Sequence, residues 1–280
     1  MTARTITLVL LILILALLIS SCGDNGPSKE DHLAAAIELQ EAGQLDEAIL
    51  WYDQAIGLDL KYGEAYTNRG GVYLELGRPQ LAITDSTKAI EIDSENALAY
   101  ANRGGAYARN FQLEEALLDL NKAIKLNPDI PVTYSNRGSV YALSGKYEEA
   151  LVDLTRAVQM APYHVATILN RAGVNYELGN LDEAFQDYRD AIDLEPENAT
   201  AYTNRGYFFW DQNQPKDAIL DLNEAISINP ELAVAYINRA LVHCSMGNEA
   251  ECEADIEKAG ELGRDKEELR NSIEELIADP

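Results

Sequence analysis

The chain has 280 residues, 47% of them hydrophobic, and carries 47 aspartates and glutamates against 22 lysines and arginines. Its length allows one or two ordinary domains and its apolar content a continuous core. A formal charge of −25 excludes the cationic footprint of nucleic-acid binding and disfavours lying on an anionic membrane. A neutral or basic partner is expected, although a solvated acidic face that keeps the chain soluble accounts for much of the same charge.

At the N-terminus Arg4 precedes an apolar run from Ile6 to Ile19, followed by Ser20-Ser21-Cys22-Gly23. The run is shorter than the roughly 20 residues a membrane span needs and has the length of a signal-peptide core. Ile19-Ser20-Ser21-Cys22 resembles the bacterial lipoprotein box, whose cysteine becomes the lipidated first residue of the mature protein. The resemblance implies a signal peptide over residues 1–21 and a lipid on Cys22. It also implies an extracytoplasmic place in a bacterial cell envelope, with membrane contact only through the lipid. The single Arg4 is a thin positive region; an ordinary secretory signal or an uncleaved anchor is the alternative reading. Residues 22–28 then form the lipidated cysteine and a short Gly/Asn/Asp/Pro/Ser tether.

Beyond the tether a tripeptide recurs every 34 residues: Asn-Arg-Gly or Asn-Arg-Ala begins at Asn68, Asn102, Asn136, Asn170, Asn204 and Asn238. A fixed period of this size marks a helical repeat array, in which each unit buries its apolar face by stacking on the next. Seven units fit: 29–62, 63–96, 97–130, 131–164, 165–198, 199–232 and 233–266. Within a unit the first helix stops near a glycine (Gly43, Gly77, Gly145, Gly179, Gly247). Acids such as Asp46-Glu47, Glu114-Glu115, Glu148-Glu149 and Asp182-Glu183 then open the second helix, where they complement its dipole. The second helix ends before Pro128, Pro162, Pro196 or Pro230. Residues 267–280 carry Leu269, Ile273, Leu276 and Ile277 at helical spacing and read as a capping helix.

Alanines recur where helices must touch, at Ala48 through Ala218 and at Ala55 through Ala259. Gly70, Gly104, Gly138 and Gly206 accept the roughly 1 kcal/mol that a mid-helix glycine costs, which points to close helix approach. Small residues at the eighth, twentieth and twenty-seventh positions, aromatic residues at the fourth (Tyr66, Tyr100, Tyr134, Tyr202, Tyr236) and proline at the thirty-second identify a member of the tetratricopeptide repeat (TPR) family from Lys29 to Lys266. The resemblance implies an all-α fold: helix pairs stacked into a right-handed superhelix, an α-solenoid whose concave groove is lined by first helices. The first unit departs, with His32, Ala35 and Ala36 where Tyr, Arg and Gly stand elsewhere. So does the fifth, where Ile168 replaces the aromatic residue and Asn175 stands where others have Tyr73, Tyr107 and Tyr141; looser packing is expected there.

Two ladders follow from the period. Arg69, Arg103, Arg137, Arg171, Arg205 and Arg239 each precede an aspartate by 16 residues (Asp85, Asp119, Asp153, Asp187, Asp221, Asp255), and the first unit lacks both members. Cross-helix pairing is expected, contributing about 0–1 kcal/mol per pair if exposed. The asparagines form the second ladder. In the family the sixth position faces the groove, and the residues three further on are Gly71, Gly105, Ser139, Gly173, Tyr207 and Leu241. The groove is therefore expected to be open beside the first four rungs and crowded beside the last two. A carboxamide can bond both the C=O and the N–H of a passing peptide. The ladder is similar to that of the O-linked N-acetylglucosamine transferase superhelix, though no glycosyltransferase domain is present. The resemblance implies peptide binding by all six asparagines; bonding to water or to a neighbouring turn is the other reading. Arg109 is nearly the sole cation among groove-facing positions, which disfavours capture of a terminal carboxylate. Tyr176, Tyr207 and Trp210 form an aromatic patch, either an anchor point or partly buried between units.

Cys244 and Cys252 lie equally far from the turn of the last unit, so an exported chain could bridge them; alternatively Cys252 fills the small-residue position. His32, His164 and His243 show no ligand spacing, and no nucleophile–base pair, phosphate loop or metal cluster is visible. The expectation is a non-enzymatic scaffold without cofactor or metal that binds a protein or peptide. The alternative is an assembly protein of an envelope complex that docks through its convex face or its ends.

Overall fold

A computed structural model describes residues 26–278, so the proposed signal peptide and Cys22 lie outside the described residues. Among the described residues there are fifteen α-helices and no strand. They are α1 (Lys29–Glu41), α2 (Leu45–Leu58), α3 (Gly63–Glu75), α4 (Pro79–Ile92), α5 (Ala97–Arg109), α6 (Leu113–Leu126), α7 (Pro131–Leu143) and α8 (Tyr147–Met160). There follow α9 (Val165–Glu177), α10 (Leu181–Leu194), α11 (Ala199–Asp211), α12 (Pro215–Ile228), α13 (Ala233–Ser245), α14 (Glu249–Glu261) and α15 (Lys266–Ala278). The expected all-α solenoid of consecutive helix pairs is what the chain forms. It divides into two compact units within α7, between Val140 and Tyr141. None of the described helices is long and apolar enough to cross a membrane.

Local chemistry sets the helix ends. Ser28, at the end of the segment read as a tether, caps α1 in a reciprocal capping box with Asp31. Gly43, Gly77, Gly145, Gly179 and Gly247 each take a positive φ of 67–76° just past a first helix, a conformation that only glycine adopts without a Cβ penalty. Two units depart: Phe111 and Asn213 hold φ of 57° and 55° at the equivalent position. Pro79 and Pro215 stand at N1 of their helices, where the missing N–H costs nothing.

In the first unit the first helices α1, α3 and α5 pack on one another in sequence, and α2 and α4 each pack between two of them. The same arrangement joins α11, α13 and α15 in the second unit, with α12 and α14 behind. Each succession of first helices therefore builds one face and the second helices the other. The contact layer is made of the recurrent alanines, from Ala48 to Ala259, all essentially without exposure. The buried Leu120 sits over Gly104 so closely that a Cβ there would lie 2.7 Å from its Cγ, and Leu222 over Gly206 repeats this at 2.8 Å. In the first pair, which lacks the arginine, His32 lies tilted against Trp51 with ring centres 5.3 Å apart.

In α15, Ile273 is buried, and Leu269 and Ile277 pack beside it on Ala240, Leu241 and Ile256. Leu276, read above as part of that apolar stripe, is exposed, because its position turns away from the contact. Cys244 and Cys252 are joined in a disulfide with Cα atoms 5.3 Å apart, closing the α13–α14 hairpin. Reduction should lower stability by about 2.5 kcal/mol through the loop entropy released. The denaturation midpoint with and without a phosphine reductant checks this, with Cys252→Ala as the reference that no reductant changes.

Candidate functional site

The arginine ladder is architecture. Arg69, Arg103, Arg171, Arg205 and Arg239 each grip the aspartate 16 residues on with Nε and Nη2, at 2.6–3.0 Å. The exposed-pair valuation above is corrected here. Asp85, Asp119, Asp187, Asp221 and Asp255 are 3–7% exposed, because the helix pair closes over them. Arg69 and Arg103 each lie between two tyrosines of their own helix, with Arg103 5.6 Å from Tyr100 and 6.0 Å from Tyr107. The bonds to Asp119 hold the Arg103 guanidinium above its ordinary pKa, with burial opposing. A third contact was missed. Nη1 reaches back to the previous second helix, where Arg69 meets Asp53, Arg103 meets Thr87, Arg137 meets Asn121 and Arg239 meets Asn223. Those partners also lie 34 residues apart, but their identities vary, so only the period hinted at them.

The asparagines do not behave as six equal rungs. Asn102 is buried, and its Nδ2 donates to the Thr67 carbonyl at 3.0 Å. Its assignment as a peptide-binding residue is corrected: the carboxamide joins α5 to α3. Asn136 places its amide over Gly105, where a Cβ would lie 2.7 Å from Nδ2; at Gly71 the Asn102 amide lies 3.5 Å from the equivalent point. Gly71 and Gly105, read as leaving the channel open, are sockets for the next asparagine. Asn68, Asn204 and Asn238 are half-buried, and Asn170 is exposed. Arg109 is exposed and donates to the Leu74 carbonyl at the end of α3, so it secures a helix terminus.

In the second unit the same face is furnished differently. Tyr176 on α9 stands edge-on to Tyr207 on α11 with ring centres 6.3 Å apart, and Tyr207 meets Trp210 at 5.5 Å. Trp210 Nε1 donates to Ser245 Oγ at 3.2 Å. All three rings are half-buried, with Tyr207 and Trp210 resting on the core beneath α15. Both phenols are held above their ordinary pKa, by burial first and by the Asp211 carboxylate next. Behind this face Asn175, in the position tyrosine holds elsewhere, is buried and donates to Asp187 at 3.2 Å. It lines a cavity of about 450 Å³ with Arg171, Asn180 and Thr155. Among the described residues no cluster of metal-ligating side chains occurs.

Stacked helix pairs that present a furnished face define a protein–protein interaction scaffold. The chain belongs to the tetratricopeptide repeat family. Profiles described as tetratricopeptide repeat match residues 129–197, 169–233 and 63–96, and one described as TPR repeat matches 38–77 and 112–145, together more than half of the chain. A profile of anaphase-promoting complex subunit 5 matches residues 227–271. Among solved structures the chain is similar to the APC/C hetero-tetramer Cut9–Hcn1, at 19% identity and TM-score 0.75, over 83% of this chain and 45% of that one. It thus spans less than half of that relative's length. It is also similar to a tetratricopeptide repeat protein from Parabacteroides merdae (21%, TM-score 0.63, 90% and 99% covered). The third is PilF of Pseudomonas aeruginosa (19%, TM-score 0.59, 74% and 94% covered). Likeness at these identities concerns the fold. A search of curated protein sequences returns no match. The family's members are in general scaffolds that bind proteins or peptides rather than enzymes.

Proposed function

We propose that the chain is a lipid-anchored adaptor, held outside the cytoplasm by Cys22, that grips an extended segment of a partner protein along the first-helix face of its second unit. The observation carrying this reading is the aromatic furnishing of that face. In the first unit the Asn102 amide is buried on the Thr67 carbonyl and the Asn136 amide lies against Gly105. In the second, the Tyr176, Tyr207 and Trp210 rings stand half-buried on the same face. Rigid aromatic rings with one covered face are efficient anchors, and carboxamides serve backbone without reading side chains. The overall charge of −25 favours a neutral or basic partner.

A second reading has its own observation. Leu50, Leu118, Val152 and Leu220 occupy one position of the second helices and are 62–72% exposed, so an assembly partner could dock on the outer face. Photo-crosslinkers placed at 170 and at 118 in the anchored protein separate the two. Crosslinks from 170 that map by mass spectrometry to one unstructured segment of a partner support peptide holding; crosslinks from 118 alone overturn it. Metabolic labelling with an alkynyl palmitate, lost in Cys22→Ser, tests the anchor.

A further inference from the structure

Of the ninth-position glycines, Gly71 and Gly105 are each met by an asparagine amide, whereas a Cβ built on Gly173 meets nothing within 4 Å. Gly173 lies on α9 one turn before Tyr176, on the same helix face. The opening is thus an unfilled recess on the first-helix face, which also carries the edge-on pair Tyr176 and Tyr207. The exposed carboxylates Glu177 and Asp211 follow Tyr176 and Trp210 directly in sequence, and their charge reaches both phenols. Asp211 accepts from the neutral amide of Gln212 at 2.8 Å and from the Tyr176 phenol.

We propose that this recess takes a cationic side chain, arginine or lysine, of the bound peptide. The inference rests on the peptide-holding reading and narrows it to a basic partner segment. The chemistry is specific. Aromatic faces attract a cation through the ring quadrupole, arginine most of all because it also stacks. The two carboxylates add an attraction that a neutral or acidic side chain lacks. The field of Asp211 reaches both phenols, which is the place a guanidinium would occupy. The open volume over Gly173 supplies room that no other ninth-position glycine with a described neighbour retains.

The test uses the folded chain and three capped pentapeptides, Gly-Ser-X-Ser-Gly with X as Arg, Leu or Glu, followed by the indole N–H resonance of Trp210. The chain has two tryptophans, so the signal is assigned by Trp51→Phe. The arginine peptide should shift the resonance saturably, at least tenfold more tightly than the other two. Asp211→Asn should weaken it at least fivefold without changing the leucine peptide. Gly173→Leu fills empty space in a helix, so it should keep or raise the melting temperature while abolishing the shift. Equal binding of arginine and leucine peptides, or an undiminished shift in Gly173→Leu, overturns the cationic assignment while leaving peptide holding intact. No shift with any peptide, together with no crosslink from position 170, overturns both.

Discussion

Asp119→Ala is expected to destabilise the chain by about 3–5 kcal/mol, read as a lowered denaturant midpoint at unchanged helix content in water. The reason is that the carboxylate is 7% exposed and accepts two bonds from Arg103, at 2.6 and 2.9 Å. Removing one partner of a buried pair strands the other charge away from water. That guanidinium lies between Tyr100 and Tyr107 with only a hydroxyl, Thr87, remaining as a partner. The exposed pair Arg270–Glu253 is the control: its carboxylate lies below its ordinary pKa because Arg270 bonds it, yet both side chains are well solvated. Glu253→Ala should therefore cost under about 1 kcal/mol. Equal losses in the two variants would show that burial of the ladder carboxylates does not set their worth.

Leu120→Ala is expected to cost about 2–5 kcal/mol through lost transfer energy and the cavity left behind. The side chain has no exposure and reaches Gly104 across the α5–α6 contact. Gly104→Ala alone forces a methyl group to 2.7 Å from Leu120 Cγ and 3.1 Å from the Ala116 carbonyl oxygen. Overpacking of that kind costs about 1–3 kcal/mol, less about 1 kcal/mol gained in helix propensity. The double variant returns the methyl to the space the leucine vacated. It should therefore be more stable than the sum of the two changes predicts, by about 0.5–3 kcal/mol. Additive losses would mean that the glycine and the leucine do not share one space.

Most of the fold is legible in the sequence because the repeat states the same physical requirement many times over. Alanine at fixed positions marks contacts too close for a larger side chain, glycine past a first helix marks a left-handed turn, and proline past a second helix marks its end. Single exceptions show the limit of that reading. Phe111 and Asn213 take the glycine's positive φ without its identity, so the turn is imposed by the two helices it joins rather than by the residue. The arginine–aspartate pairing was readable from joint presence and joint absence, but its burial was not, since period says nothing of depth.

The asparagines mark where sequence alone stops. By itself the sequence determined the array of paired helices and the register of both ladders, because both follow from periodicity; the face of the asparagine ladder was what the family resemblance implied. Only the tertiary structure decided which carboxamides are spent. A glycine at the ninth position has the same sequence whether it floors an open recess, as at Gly173, or receives the next asparagine, as at Gly105. Fractions of a turn between neighbouring helices separate those outcomes, and they are set by the summed packing of side chains from several units, which no single position encodes.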